Sequence, residues 1–199
     1  DLEFGVWSLE FESFILFKPK DIVSGDFYFV EQRKNMLLIA VADCTGHGVP
    51  GAFMSMLGIS FLNEIIAKDE VQSAGHVLDK LRQYVINSLQ QKGISGEQKD
   101  GMDIAFCAIN TETLEMQFAG ANNPCWIVTS RQSEVNNLQS AVGIPQSFVI
   151  ARSETTKQSQ IDETKDCFVP RNDDYQLIDL KPDKQPIGIH KNMQPFTNQ

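Results

Sequence analysis

Two acids stand where acids are costly. Asp43 closes the apolar run Met36-Leu37-Leu38-Ile39-Ala40-Val41-Ala42, long enough for a buried strand, and opens Cys44-Thr45-Gly46-His47-Gly48-Val49-Pro50-Gly51-Ala52. Gly46 and Gly48 allow positive φ or close passage of a ligand, and Pro50 suits the first turn of a helix. Asp26 interrupts two aromatic and β-branched stretches, in Phe14-Ile15-Leu16-Phe17 through Ser24-Gly25-Asp26-Phe27-Tyr28-Phe29-Val30. An acid with apolar neighbours on both sides needs a cation or hydrogen-bond partners to be buried. A strand that delivers a carboxylate to a glycine-rich turn, followed by a helix, is a common cradle for a metal or phosphate. Read alone, the same turn is also accounted for by local Asp and Gly turn chemistry.

The elements that must position these acids follow. Phe27 to Val30 and Met36 to Ala42, joined by Glu31-Gln32-Arg33-Lys34-Asn35, read as a β-hairpin. Pairing them brings Asp26 and Asp43 to the same end of neighbouring strands. Two hard oxygen ligands there suit Mg²⁺ or Mn²⁺ better than Zn²⁺, which prefers His or Cys.

Composition narrows the class. The 199 residues are 42% hydrophobic and 22% charged, within the range of a globular domain with a real core. A net charge of -9 argues against a nucleic-acid surface. No apolar stretch is read as a membrane span and the start lacks a signal peptide, so a cytoplasmic setting is expected. Cys44, Cys107, Cys125 and Cys167 form no Cys-x-x-Cys pair, which disfavours zinc and a disulfide framework. A nucleophilic Cys44 lacks the Cys-x5-Arg loop of a cysteine phosphatase, so it is expected to supply a backbone carbonyl.

Pro19, Ser24-Gly25-Asp26-Phe27-Tyr28 and Asp43 to Ala52 resemble the opening motifs of bacterial SpoIIE/RsbU-type phosphatases, the sporulation and stress-response branch of the metal-dependent PPM (type 2C) serine/threonine phosphatases. Asp100-Gly101-Met102-Asp103-Ile104-Ala105, Ala119-Gly120-Ala121-Asn122-Asn123-Pro124 and Gln185-Pro186-Ile187-Gly188 are similar to later landmarks of the same family, in order.

The rest of the chain reads as an α+β plan. A helix from Gly51 is expected to bury Phe53, Met56, Leu57, Phe61 and Ile65. A second, from about Gln72 to Gln91, carries Ala74, Val77, Leu78, Leu81, Tyr84, Val85 and Leu89 at helical spacing, with His76 solvated at its start. Strands are expected at Ile104 to Ile109, Glu115 to Ala119 and Cys125 to Thr129. The family resemblance sharpens this to an α-β-β-α sandwich with the metal site between two antiparallel sheets, in one domain over 1–199. The Ser-, Thr- and Gln-rich segment 136–174 departs from that plan and is expected to be a disordered surface insertion, a partner-binding loop or lid being the alternative.

The resemblance also implies the chemistry. Two divalent cations, roughly 3.5–4 Å apart, activate a water for in-line attack on a phosphate ester. Asp43 would bridge both, Asp26 would support one, and the Cys44 carbonyl would hold the other. His47 is the candidate to protonate the leaving group, or simply caps its turn. Asp103, or Asp100, would serve a third, weaker site. The implied substrate is a phosphorylated protein, such as an anti-sigma factor antagonist, and the implied upstream neighbour is a sensor or coiled-coil region. The family's Thr-Asp-Gly strand end and final Asp do not occur before Gln199, so the site is expected to be half complete. A catalytically inactive, phosphatase-like binding module is therefore the alternative, and an unrelated nuclease a third reading that the acidic balance disfavours.

Overall fold

The computed structural model describes residues 15–19, 22–68, 73–94, 99–130, 147–151, 175–190 and 193–199. The elements run β1 (Phe27–Arg33), β2 (Met36–Cys44), α1 (Gly48–Lys68), α2 (Ala74–Ser88), β3 (Met102–Asn110), β4 (Met116–Ala121), β5 (Cys125–Ser130), β6 (Ser147–Ala151) and β7 (Tyr175–Leu180). Four strands form one antiparallel sheet in the order β1-β2-β3-β4, and three form another in the order β6-β5-β7.

Strand periodicity decides which side each residue serves. Phe27 and Phe29, Leu38, Ala40, Ala42 and Cys44, and Met102, Ile104, Phe106 and Ala108 fill a core shared with α1 and α2. The alternate residues of the same strands, Ile39, Ala105 and Cys107, pack with Phe118, Cys125 and Leu180 in a second core that joins the two sheets. Both helices therefore lie on one face of the four-stranded sheet and the three-stranded sheet on the other. Among the described residues no helix covers the outer face of the three-stranded sheet.

The expected hairpin is present, with strands extended to the two-residue turn Lys34-Asn35, where Lys34 takes φ 51°. Glu31, Gln32 and Arg33 were expected in the loop, but they continue the ladder because β1 is an edge strand on which polar side chains reach water. Two threonines fasten the β2–β3 ladder at its ends. Thr111 donates its N–H (2.7 Å) and Oγ1 (3.0 Å) to Asn35 O. Thr45 N–H donates to Gly101 O (3.0 Å), while Gly101 N–H donates to Thr45 Oγ1 (3.0 Å).

The expected buried face of α1 is met in part: Ile65 is buried and Leu57 and Phe61 pack against the core, but Phe53 and Met56 do not. Phe53 and Met56 are 63% and 66% exposed, while the inner face is Gly51, Met54, Ser55, Gly58, Leu62, Ile65 and Ile66. Gly58 sets this rotation: a Cβ there would lie 2.9 Å from the Phe27 ring, so only the bare backbone lets the helix sit so close to β1. By length and a mean hydropathy of 1.4, α1 also meets the criterion for a membrane span, contrary to the expectation that no stretch does. Its inner face packs on α2 and β2, which explains why it is apolar.

Helix α2 behaves as its periodicity predicts, starting at the N-cap Ser73, whose Oγ accepts from His76 N–H (3.2 Å). His76 is half-buried rather than fully solvated. Within α2, buried Arg82 donates to Asp79 Oδ1 (2.8 Å), Gln185 Oε1 (3.0 Å) and Gln194 O (2.9 Å), and lies 4.7 Å from the Phe196 ring centre.

Within the segment expected to be a disordered insertion, Ser147–Ala151 forms β6, paired to Cys125–Thr129. Phe148-Val149-Ile150 is a short aromatic and β-branched run of the kind strands prefer. The rest of 136–174 lies outside the described residues. Cys125–Ser130 also pairs antiparallel with Tyr175–Leu180, forming the β5–β7 ladder.

Candidate active site

The three expected acids come from three adjacent strands at one end of the sheet. Asp43 of β2 pairs directly with Asp103 of β3, and Asp26 lies one residue before Phe27, the first residue of β1 in the ladder with Ala42. Each alternates with residues of the helix-side core, so all three fall on the face that looks toward the second sheet.

Asp26 and Asp43 lie close enough for their carboxyl groups to act on each other. Burial first, then the neighbouring Asp43 carboxyl, push the Asp26 carboxyl up to about 6. Asp103 is held differently. Asn122, at φ 57° just after β4, donates Nδ2–H to Asp103 Oδ1 at 2.8 Å. This partner was not assigned from sequence, although Ala119-Gly120-Ala121-Asn122-Asn123-Pro124 marked the place.

The approach to the acids is built by close backbone contacts. Asp26 N–H donates to Ser24 Oγ (3.0 Å), and Ser24 O accepts from Ser55 Oγ on α1 (3.0 Å), so helix and acid loop are tied together. A Cβ on Gly51 would lie 2.7 Å from Gly46 O, and one on Gly25 would lie 3.1 Å from Gly46 O and 3.2 Å from Cys44 O. The Ser24-Gly25-Asp26 loop, the turn after Asp43 and the first turn of α1 therefore touch through backbone alone. Gly46 and Gly48 adopt φ 89° and 62°, the left-handed conformations that the turn demands.

Cys44 points its thiol into the helix-side core, 4% exposed. Burial, followed by the charges of Asp43, Asp26 and Asp103, pushes that thiol far above the usual range, which rules out a thiolate nucleophile. Its carbonyl remains beside Gly25. His47 is exposed on the same turn, between the two left-handed glycines. Asp100 lies near the other side of this turn, with Thr45 Oγ1 3.4 Å from Asp100 Oδ1. Thr45, Gly46, Pro50, Phe53, Met54, Leu57, Leu89 and Asp100 line a cavity of about 400 Å³. Among the described residues, no three His, Cys, Asp or Glu side chains converge at ligand spacing.

The sequence profile of the family described as Stage II sporulation protein E (SpoIIE) matches residues 33–169, a span that contains Asp43, His47 and Asp103. No curated protein matches the sequence significantly. Among solved structures, the chain is similar to the SiaA-PP2C domain of Pseudomonas aeruginosa, at 22% identity and a TM-score of 0.59, over 94% of this chain and 53% of that one. It is also similar to the PP2C phosphatase domain with a fragment of the regulatory domain of the cell fate determinant SpoIIE from Bacillus subtilis. There the identity is 16% and the TM-score 0.50, over 90% of this chain and 38% of that one. These are likenesses of fold, to chains of which this one spans about half or less.

Proposed function

The chain belongs to the SpoIIE family, and from that premise we propose that it carries the phosphate-ester chemistry of a Mg²⁺- or Mn²⁺-dependent protein serine/threonine phosphatase in bacterial signalling. The observation that supports this reading best is that Asp26, Asp43 and Asp103 stand on adjacent strands at one end of the sheet.

The donor set fits a hard divalent cation. It is all oxygen, from two crowded carboxyls, the Cys44 carbonyl and, one strand further, Asp103. Burial and the neighbouring acid push Asp26 up to about 6, and a bound cation would relieve that crowding. Asp26, Asp43 and the Cys44 carbonyl would hold the metal, with Asp103 serving an additional ion. Bound Mg²⁺ or Mn²⁺ supplies Lewis acidity toward the phosphoryl oxygens and lowers the pKa of water. Asn122 fixes the Asp103 carboxylate, and Ser55 fixes the loop that presents Asp26. His47, exposed beside them, is available to give a proton to a serine or threonine alkoxide as it leaves. The cavity between the Thr45–Gly46 turn and α1 offers a mostly apolar wall for the polypeptide on either side of the phosphorylated residue. An anti-sigma factor antagonist is the substrate class suggested by the resemblance.

The test is Mn²⁺-dependent hydrolysis of p-nitrophenyl phosphate by the chain and by Asp43→Ala. Activity in the parent that disappears in the variant supports the reading. A second reading, a phosphatase-like module that binds cations or phosphoproteins without turnover, is favoured by the lack of three converging ligand side chains among the described residues. Calorimetric Mn²⁺ binding that Asp43→Ala removes, with no hydrolysis in either protein, would select it.

A further inference from the structure

Cys107 and Cys125 stand apart from the acids and have no role in the chemistry above. Their sulfurs are 3.9 Å apart, and the residues are 2% and 0% exposed. They come from different sheets: Cys107 from β3 in the middle of the four-stranded sheet, Cys125 from the first position of β5, the central strand of the other. Each backbone is clamped on both sides, Cys107 between Ile39 and Phe118, Cys125 between Ala151 and Leu180. A pair fixed this way approaches bonding distance with a sulfur movement of about 2 Å and no change of strand register. Cys44 cannot compete, because it lies on the helix side of the sheet while Cys107 lies on the inter-sheet side.

From this geometry we infer that Cys107 and Cys125 are the site of a disulfide that joins the two sheets when the protein meets a hydroperoxide. Packing alone would ask only for small apolar side chains at these positions; two facing thiols add a reaction. The two thiols share one hydrogen bond that either sulfur can donate. One of the sulfurs attacks one oxygen of hydrogen peroxide and the O–O bond breaks, giving a sulfenic acid and water. The other sulfur then attacks the sulfenic sulfur, the S–S bond forms, and the hydroxyl leaves as a second water. Two thiols lose two electrons and two protons, and one peroxide becomes two waters.

Glu112 and Glu115 lie between the two cysteines, while no Lys or Arg does, so digestion at glutamate separates them and trypsin does not. The chain is treated with hydrogen peroxide, alkylated in urea and digested without reductant. The expected product is one cross-linked peptide pair containing Cys107 and Cys125, dissolved by dithiothreitol. The oxidised protein should melt about 5–10 °C higher than the reduced one, since the bond restricts the unfolded chain between the two cysteines. Cys125→Ala and Cys107→Ala should each abolish both the pair and the rise. Alkylation of both thiols after peroxide, a sulfinic or sulfonic acid at either, or a bond from either to Cys44 or Cys167 overturns the inference, and the parent protein alone decides this even if a variant does not fold.

Discussion

Asp26 and Asp43 meet carboxyl to carboxyl at the open end of the β1–β2 hairpin, one step beyond the pair Phe27–Ala42. Burial and the neighbouring acid make Asp26 costly to ionise, and both pH and an added cation should report on that cost.

The first signature is in the pH dependence of stability. The folded value for Asp26, about 6, exceeds its ordinary 3.8, so the metal-free folded state binds more protons than the unfolded chain between those pH values. Its stabilising contribution is fully present below about pH 4 and is lost as pH rises through 6. Melting temperatures from pH 4 to 8 should fall over that window in the metal-free protein and fall less in Asp26→Asn. Added Mn²⁺ should raise the melting temperature at pH 7 and progressively less as the pH drops below 6. Parallel pH profiles for parent and variant would contradict a raised Asp26.

The Asn122–Asp103 hydrogen bond should matter more for cation affinity than for folding. Asn122→Ala removes a charge-assisted bond of about 1.5–3 kcal/mol. It should raise the Mn²⁺ concentration needed for half-maximal activity about tenfold. A Mn²⁺ titration of phosphatase activity, with circular dichroism as the folding control, measures this. An unchanged titration would mean that Asp103 binds no ion that matters to turnover.

Glycine contacts can be separated by comparing two alanines. Gly51→Ala drives a Cβ to 2.7 Å from Gly46 O and must displace the turn after Asp43. Gly48→Ala meets nothing within 4 Å and suffers only from its φ of 62°, a cost of about 1–2 kcal/mol. Gly51→Ala should therefore lose activity out of proportion to any loss of stability, whereas Gly48→Ala should lose stability first. Chemical denaturation and p-nitrophenyl phosphate assays on both variants provide the comparison; equal activity at equal stability would remove the backbone contact from the site.

The orientation of α1 is open to a direct stability test. Phe53→Ser, on the exposed face, should change unfolding free energy by less than about 0.5 kcal/mol. Leu62→Ala, fully buried, should cost about 2–5 kcal/mol. The reverse order would restore the burial expected of Phe53 and Met56.

What could be read beforehand was the local geometry. An apolar run ending in an acid, a polar turn and a second acid were enough to bring Asp26 and Asp43 together, because antiparallel pairing fixes which residues share an end. The rotation of α1 was not legible, since the helix is apolar around most of its girth and the choice fell to a single close approach at Gly58. Strand β6 was hidden by the polar text around it, although Phe148-Val149-Ile150 carried a strand's composition. Asn122 as the holder of Asp103 depends on pairing Ile104 with a residue 18 positions on, which no local pattern reveals.

The threonines at the two ends of the β2–β3 ladder act as latches against slippage. Were β2 to slide by one position, every side chain on it would change sides: the acid at 43 would turn into the oily layer beneath the helices, and the thiol at 44 would take its place on the opposite face. Thr45 and Thr111 thus do more than tidy two loops. By forbidding that single misstep, they decide whether the strand presents a charge or a sulfur to the outside world.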